Sequence, residues 1–151
     1  HNPIPMNPAI FRDGPMDLLS DLLNQKLGER ISYDAERNVL SVDLSAWSVR
    51  KKSDITDLQK AISSACEKAG KRVNTLINQD SCRIAEDLYD DYANMVAQLS
   101  KAYYARTARY ATSALTRQKL QDALRRRGLQ TRVYESAKEA AASLEEATAA
   151  E

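Results

Sequence analysis

The residues best suited to bind an anion lie where a β-rich run ends and a helical pattern begins. From Arg109 the sequence reads RYATS. The free N–H groups and the dipole of a helix N-terminus favour an anion there. The hydroxyl groups of Thr112 and Ser113 could add donors, and Arg109 and Arg117 could add positive charge. The alternative is structural, with Ser113 as the helix cap and Tyr110 packed in the core.

A second candidate site follows another β-rich run and consists of Asn78, Asp80 and Ser81. The carboxyl ends of strands are where α/β sheets place their binding sites. Asp80 and Ser81 are also ordinary helix-capping residues, so a structural role is again the alternative. We expect the thiol of Cys82 to be inert.

Composition excludes several classes of enzyme site. His1 is the only histidine, which excludes activation of a nucleophile by histidine. The four glycines are isolated, so neither a P-loop nor a dinucleotide fingerprint is present. Two cysteines and one histidine are too few for a zinc motif. We therefore assign no catalytic residue, no metal and no cofactor to this segment.

Charge and hydropathy indicate a protein that binds neither nucleic acid nor a membrane. The formal net charge is only +1, from 22 Lys and Arg against 21 Asp and Glu. A basic block at residues 101–132 carries no groove-helix motif of nucleic-acid binding, and its Arg125–Arg127 triplet suits a helix C-terminus. The longest apolar run, residues 102–105, is too short to span a bilayer. Two cysteines without a disulfide framework are typical of a cytoplasmic protein.

Apolar periodicity predicts the elements that hold the two candidate sites. All four prolines lie in residues 1–16, which we interpret as an arm or linker leading into a single α/β domain at 17–151. The patterns predict alternating elements in chain order: a helix at 18–27, strands at 31–33 and 39–44 forming a hairpin, a helix at 53–69, a strand at 72–78, a helix at 84–104, a strand at 107–112, a helix from 114, a strand at 130–135 and a final helix capped by Ser136. Such alternation after a hairpin is typical of a mixed sheet with flanking helices.

This order of elements resembles the STAS fold of anti-sigma-factor antagonists. The ending RVYESAKEAAASL is similar to the last strand and helix of those domains. The resemblance implies a STAS-like sheet with an N-terminal β-hairpin. It also implies that a serine at the second strand end, here Ser81, is a phosphorylation point that switches partner binding.

Three segments carry a second resemblance. They are YDAERNVLSVDLSAWSVR at 33–50, RVNTLINQDSCRIAEDLYDDYANMV at 72–96 and, most specifically, YYARTARYATSALTRQKLQDALRRRGLQTRVYES at 103–136. They are similar to the C-terminal region of acyl-CoA:acetate/3-ketoacid CoA-transferases of the propionate CoA-transferase type. Ala111, Leu115 and Gln121 stand where the family usually has Thr, Phe and Gly, and NQDSC at 78–82 replaces Asn-Tyr-Asp-x-Phe.

The CoA-transferase resemblance implies an accessory role for this segment. Enzymes of that family use a glutamate that attacks the acyl-CoA, and this glutamate lies in transferase domains upstream of the matched region. The CoA thioester is then a substrate of the parent enzyme. The partners are the upstream catalytic domains or a further copy of the chain.

The two resemblances give two expectations for the candidate sites. In a CoA-transferase, Arg109, Thr112, Ser113 and Arg117 would face the CoA-binding or domain-docking side. In a free-standing STAS-like interaction module, Ser81 or Ser113 would be a regulatory phosphorylation site.

Overall fold

A β-hairpin opens the part of the chain that the structure describes. The structure is a computed structural model that describes residues 26–129 and 132–149. The seven strands in chain order are β1 (Ile31–Asp34), β2 (Val39–Asp43), β3 (Ser48–Val49), β4 (Val73–Asn78), β5 (Arg83–Ile84), β6 (Tyr104–Tyr110) and β7 (Val133–Tyr134). The four α-helices are α1 (Lys52–Ala69), α2 (Tyr89–Tyr103), α3 (Ala114–Arg126) and α4 (Ala137–Ala149). Short 3₁₀ turns at Leu27–Arg30 and Glu86–Leu88 precede β1 and α2.

The main sheet has five strands in the order β1-β2-β4-β6-β7. The hairpin pair β1 and β2 is antiparallel, whereas β2, β4, β6 and β7 pair in parallel. Each parallel crossover moves in the same direction along the sheet, so right-handed connections place α1, α2 and α3 on one face. The fold is therefore α/β with a mixed sheet, as the sequence predicts.

Two apolar cores fill the two sides of this sheet. The larger core joins β2, β4 and the helices α1 to α3, and its fully buried members include Leu40, Leu58, Leu99 and Leu124. On the other face α4 covers β4, β6 and β7, and Ala140 and Leu144 pack there against Ala108. The alternation in β4, where Val73, Thr75 and Ile77 are buried, is the pattern of a strand with one face in the main core.

Several predicted elements are confirmed, and their ends are set by local chemistry. Gly70 ends α1 in the left-handed conformation with φ 73°, which glycine adopts without steric cost. Ser136 begins α4, because its Oγ accepts from the N–H of Glu139 and donates to the carboxylate of the same residue. The hairpin, β4 and α3 also lie where the sequence predicts them.

Other boundaries differ from the prediction. The helix predicted at 84–104 begins only at Tyr89, because Arg83–Ile84 pairs with Ser48–Val49 in a two-stranded parallel sheet. The strand predicted at 107–112 begins at Tyr104, whose side chain is buried in the main core. It ends at Tyr110, and the last strand is reduced to β7. Two-residue strands carry no periodicity, so the sequence pattern could not reveal the small sheet.

Two predicted features lie outside the described residues. These are the proline-rich arm at 1–16 and most of the leucine-rich helix predicted at 18–27, of which Leu27 is described and buried. Among the described helices, none is both long enough and apolar enough to cross a membrane.

Candidate functional site

The two candidate sites meet at one edge of the sheet. Strands β4 and β6 run parallel, and Asn78 at the end of β4 lies opposite Tyr110 at the end of β6. The N–H of Gln79 donates to the carbonyl of Tyr110 at 2.9 Å, which holds the two chain exits together. We call the loops that follow β2, β4 and β6 at this edge (residues 44–47, 79–82 and 111–113) the carboxyl edge.

Asp80 connects all three loops of the carboxyl edge. Its Oδ1 accepts from the N–H of Thr112 at 2.6 Å, and its carbonyl accepts from the N–H of Ala46 at 2.9 Å. Its own N–H donates to Oδ1 of Asn78 at 2.9 Å. Hydrogen bonds to a charged acceptor are the stronger kind, so the Asp80 carboxylate fixes the loop that begins α3.

Polar side chains at the start of α3 form hydrogen bonds with the backbone of the first helical turn and of the loop before it. Ser113 caps the helix, since its Oγ accepts from the N–H of Thr116 at 3.2 Å. Arg117 Nη1 donates to the carbonyls of Ala111 and Thr112, both at 2.8 Å. Its Nη2 lies 3.6 Å from the exposed Glu135 carboxylate. The arrangement holds the backbone rigidly, while the side chains of Thr112 and Ser113 stay exposed.

Arg109 does not join Arg117 at the carboxyl edge, which corrects the expectation that both face one ligand. Successive residues of a strand point to opposite faces, and Arg109 points into the main core with only 1% of its surface exposed. Its Nη1 donates to Oε1 of Gln79 and to the hydroxyl of Tyr92, the latter at 3.3 Å.

Tyr110 points to the opposite face of the sheet, where it packs half-buried beside the α4 core. Partial burial raises the pKa of its phenol, and the nearby negative charges of Asp43 and Asp80 raise it further. These two carboxylates therefore lie close enough to Tyr110 to interact with it electrostatically. The structural alternative for Tyr110, packing in a core, describes its position well.

Two residues of the carboxyl edge adopt a left-handed backbone although neither is glycine. Ala46 has φ 57° and Ser81 has φ 56°, and the loops that contain them are joined by the Ala46–Asp80 hydrogen bond. This conformation costs a non-glycine residue roughly 1–2 kcal/mol. Ser81 is exposed, so its hydroxyl is accessible from solvent.

Sequence patterns missed three residues that lie in the carboxyl edge or next to it. Gln79 is fully buried against Arg109. Arg30 donates to the carbonyls of Asp43 and Ser45 at 3.0 and 2.8 Å and so holds the end of β2. Leu115, in the first turn of α3, is 61% exposed. Gln79 and Leu115 carried a signal only as departures from the tyrosine and the phenylalanine of the CoA-transferase pattern.

The thiol of Cys82 is shielded at the base of the carboxyl edge. It is 5% exposed, and burial raises its pKa to about 11, although the hydrogen bond from Gln79 and the charge of Arg109 act in the opposite direction. Burial likewise raises the pKa of the Tyr92 phenol to about 12. A thiol that stays protonated is a poor nucleophile, which agrees with the inert cysteine expected from the sequence.

Because the Cys82 thiol and the Tyr92 phenol are buried weak acids, we predict that the fold loses stability in alkaline solution. In the unfolded chain the thiol and the phenol ionise near their ordinary pKa values of 9.0 and 10.0, whereas in the fold they keep their protons to about 11 and about 12. The unfolded state therefore loses protons first, and the free energy of unfolding falls as pH rises from about 9 to about 12. Urea unfolding followed by circular dichroism at stepped pH measures this fall.

The matched variant for the alkaline prediction is Tyr92→Phe. It removes one of the groups that ionise preferentially in the unfolded state, so the decline above pH 10 should be shallower than in the native sequence. Equal slopes in the two proteins would show that Tyr92 ionises alike in both states.

Several basic side chains of residues 101–132 pair with acids on the surface. Arg126 bonds to Asp90 at 3.1 Å and Arg125 to Asp122 at 3.2 Å, and Lys119 contacts the Glu86 carboxylate.

Among the described residues, no group of three or more His, Cys, Asp or Glu side chains could hold a metal ion. Comparisons with known proteins found no matching family model, curated protein or solved structure.

Proposed function

We propose that this chain is the C-terminal accessory domain of an acyl-CoA:carboxylate CoA-transferase and that it docks on the upstream catalytic domains through the carboxyl edge. Its task is domain packing, shaping of the acyl-CoA entrance or oligomerisation. The parent enzyme would act in the cytoplasm on a CoA thioester, with its catalytic glutamate outside this segment. The sequence resemblance at 103–136 supports this assignment.

The observation that carries the proposal is the exposure of Leu115. Among the described residues it is the one large apolar side chain that is mostly exposed. A single exposed leucine is ordinary on a protein surface. Leu115, however, lies beside the exposed Thr112 and Ser113 and at the position where the resembled family has phenylalanine. An apolar anchor surrounded by polar groups is typical of an interface centre.

The rigidity of the surrounding loops supports a docking role. The hydrogen bonds of Asp80 and Arg117 fix the backbone of Ala111 and Thr112, just before Ser113, in the absence of any partner. A surface ordered in advance loses less conformational entropy on binding. These bonds do not involve the exposed hydroxyl of Thr112 or the side chain of Leu115, and both can contact a neighbour.

The test uses the complete native polypeptide that contains this chain. We expect it to exchange CoA between acetyl-CoA and propionate. Leu115→Asp should raise either the KM for the thioester or the dissociation constant of the assembly by roughly fivefold or more. The reason is that a charge replaces an apolar anchor worth more than 1 kcal/mol. Gln118→Asp, on an exposed position of the same helix, is the control and should change neither by more than about twofold.

Two results would contradict the proposal. One is a native polypeptide in the source cell with the mass of this chain alone and no CoA exchange. The other is a Leu115→Asp enzyme whose kinetics and oligomeric state match those of the Gln118→Asp control.

The second candidate function is a free-standing STAS-like interaction module. The exposed positions of Ser81 and Ser113 favour it, since both hydroxyl groups lie at the same edge. A phosphate on Ser113 would sit at a helix N-terminus, where negative charge is favourable. Mass spectrometry of the protein from its cell, combined with partner capture by Ser81→Ala and Ser113→Ala variants, tests this function. An unmodified chain with unchanged capture would rule it out.

A further inference from the structure

Arg109 is a buried cation whose described neighbours are neutral. Its two hydrogen-bond partners among the described residues are the Gln79 amide oxygen and the Tyr92 hydroxyl, and both accept from Nη1. No described residue accepts a hydrogen bond from Nε or Nη2, although both atoms are shielded from solvent. Burying a charge without a counter-charge is strongly unfavourable.

The described core offers no carboxylate to balance this charge. Asp54 is the one buried acid among the described residues, and its carboxylate accepts from the N–H groups of Arg50 and Lys51 at the start of α1. Cys82 and Tyr92, which interact electrostatically with Arg109, stay protonated at neutral pH because burial raises their pKa values to about 11 and about 12.

The two unused donor atoms have a defined geometry. Nε and Nη2 carry parallel N–H groups along one edge of the planar guanidinium, and this edge binds the two oxygens of a carboxylate in bidentate fashion. Nη1 is already directed to Gln79 and Tyr92, which fixes the orientation of the group. The free edge therefore matches a planar oxyanion better than a spherical ion.

We propose that Arg109 anchors a binding site for a small free carboxylate of formate or acetate size, which bonds through both oxygens to Nε and Nη2. The ligand would neutralise the buried charge and accept hydrogen bonds from two donors that no described residue pairs. Because the guanidinium is 1% exposed, the ligand reaches it only when the surrounding core opens locally. The inference does not rest on the proposed function.

The first test measures urea unfolding of the full chain in sodium acetate and in sodium chloride at equal ionic strength. A ligand that binds only the folded state stabilises it in proportion to the logarithm of its concentration above the Kd. We expect the unfolding midpoint to rise with acetate beyond its change in chloride. The acetate-specific rise should disappear in Arg109→Met and persist in Arg126→Met, which removes an exposed arginine paired with Asp90. Equal midpoints of the native chain in the two salts would overturn the proposal.

A second variant and a second measurement cover the case in which Arg109→Met does not fold. Arg109→Lys keeps the charge but loses the parallel donors, so its acetate-specific rise should be at least severalfold smaller. A crystal soaked in formate should show planar density with both oxygens about 2.7–2.9 Å from Nε and Nη2. Water alone at these atoms, or an Asp or Glu side chain of the chain or a neighbour in place of formate, would overturn the free-carboxylate site.

Discussion

Replacing Trp47 with alanine is expected to lower the free energy of unfolding by about 3–5 kcal/mol. Trp47 is 1% exposed and is among the largest fully buried side chains of the described chain. Its carbonyl accepts from the N–H of Arg83 at 2.9 Å, so its backbone joins the small sheet while its indole fills the core. Truncation removes that packing and leaves a cavity that surrounding residues can only partly fill.

The measurement needs a signal other than tryptophan fluorescence, since Trp47 is the only tryptophan of the chain. Circular dichroism at increasing urea gives the unfolding free energy of both proteins. Leu115→Ala is the matched control, because Leu115 is 61% exposed and its truncation should cost no more than about 0.5 kcal/mol. A cost below about 1 kcal/mol for Trp47→Ala would mean that the indole contributes little packing.

The periodic parts of the fold could be predicted from sequence because burial imposes a period on each element. The stripe of Ile55, Leu58, Ile62 and Cys66 predicted α1, and all four residues are buried on it. The two-residue strands β3 and β5 gave no such stripe. Their pairing depends on contacts between residues far apart in the chain, as in the bond from Arg83 to Trp47. Local patterns contain no information about such contacts.

The candidate site could be predicted in its position but not in the direction of its side chains. The predicted strands end at residues 78 and 112, close to the observed strand ends at Asn78 and Tyr110. Both candidate sites therefore follow the ends of neighbouring parallel strands and lie at one edge of the sheet. A lone arginine normally faces solvent, so sequence alone favoured an exposed Arg109. Its burial depends on Gln79 and Tyr92, which come from a loop and from α2 and meet it only in the folded chain.

Asp54 stabilises the start of α1 from within its first turn. The sequence predicts this helix from residue 53, and it begins at Lys52. Asp54 reaches back along the chain, so that its Oδ2 accepts from the N–H groups of Arg50 and Lys51 at 2.8 and 3.2 Å. Its carboxylate is fully buried at the positive end of the helix dipole.

Replacing Asp54 with alanine should therefore lower the free energy of unfolding by about 2–4 kcal/mol, because it removes the acceptor of two N–H groups in a buried setting. Asp54→Asn keeps an acceptor oxygen without the charge and should cost about half as much. Asp57→Ala, at an exposed position one turn further along α1, is the control and should cost less than about 0.5 kcal/mol. Urea unfolding of the three variants orders them. If Asp54→Ala and Asp57→Ala were equally stable, the buried carboxylate would contribute nothing beyond its charge near the helix start.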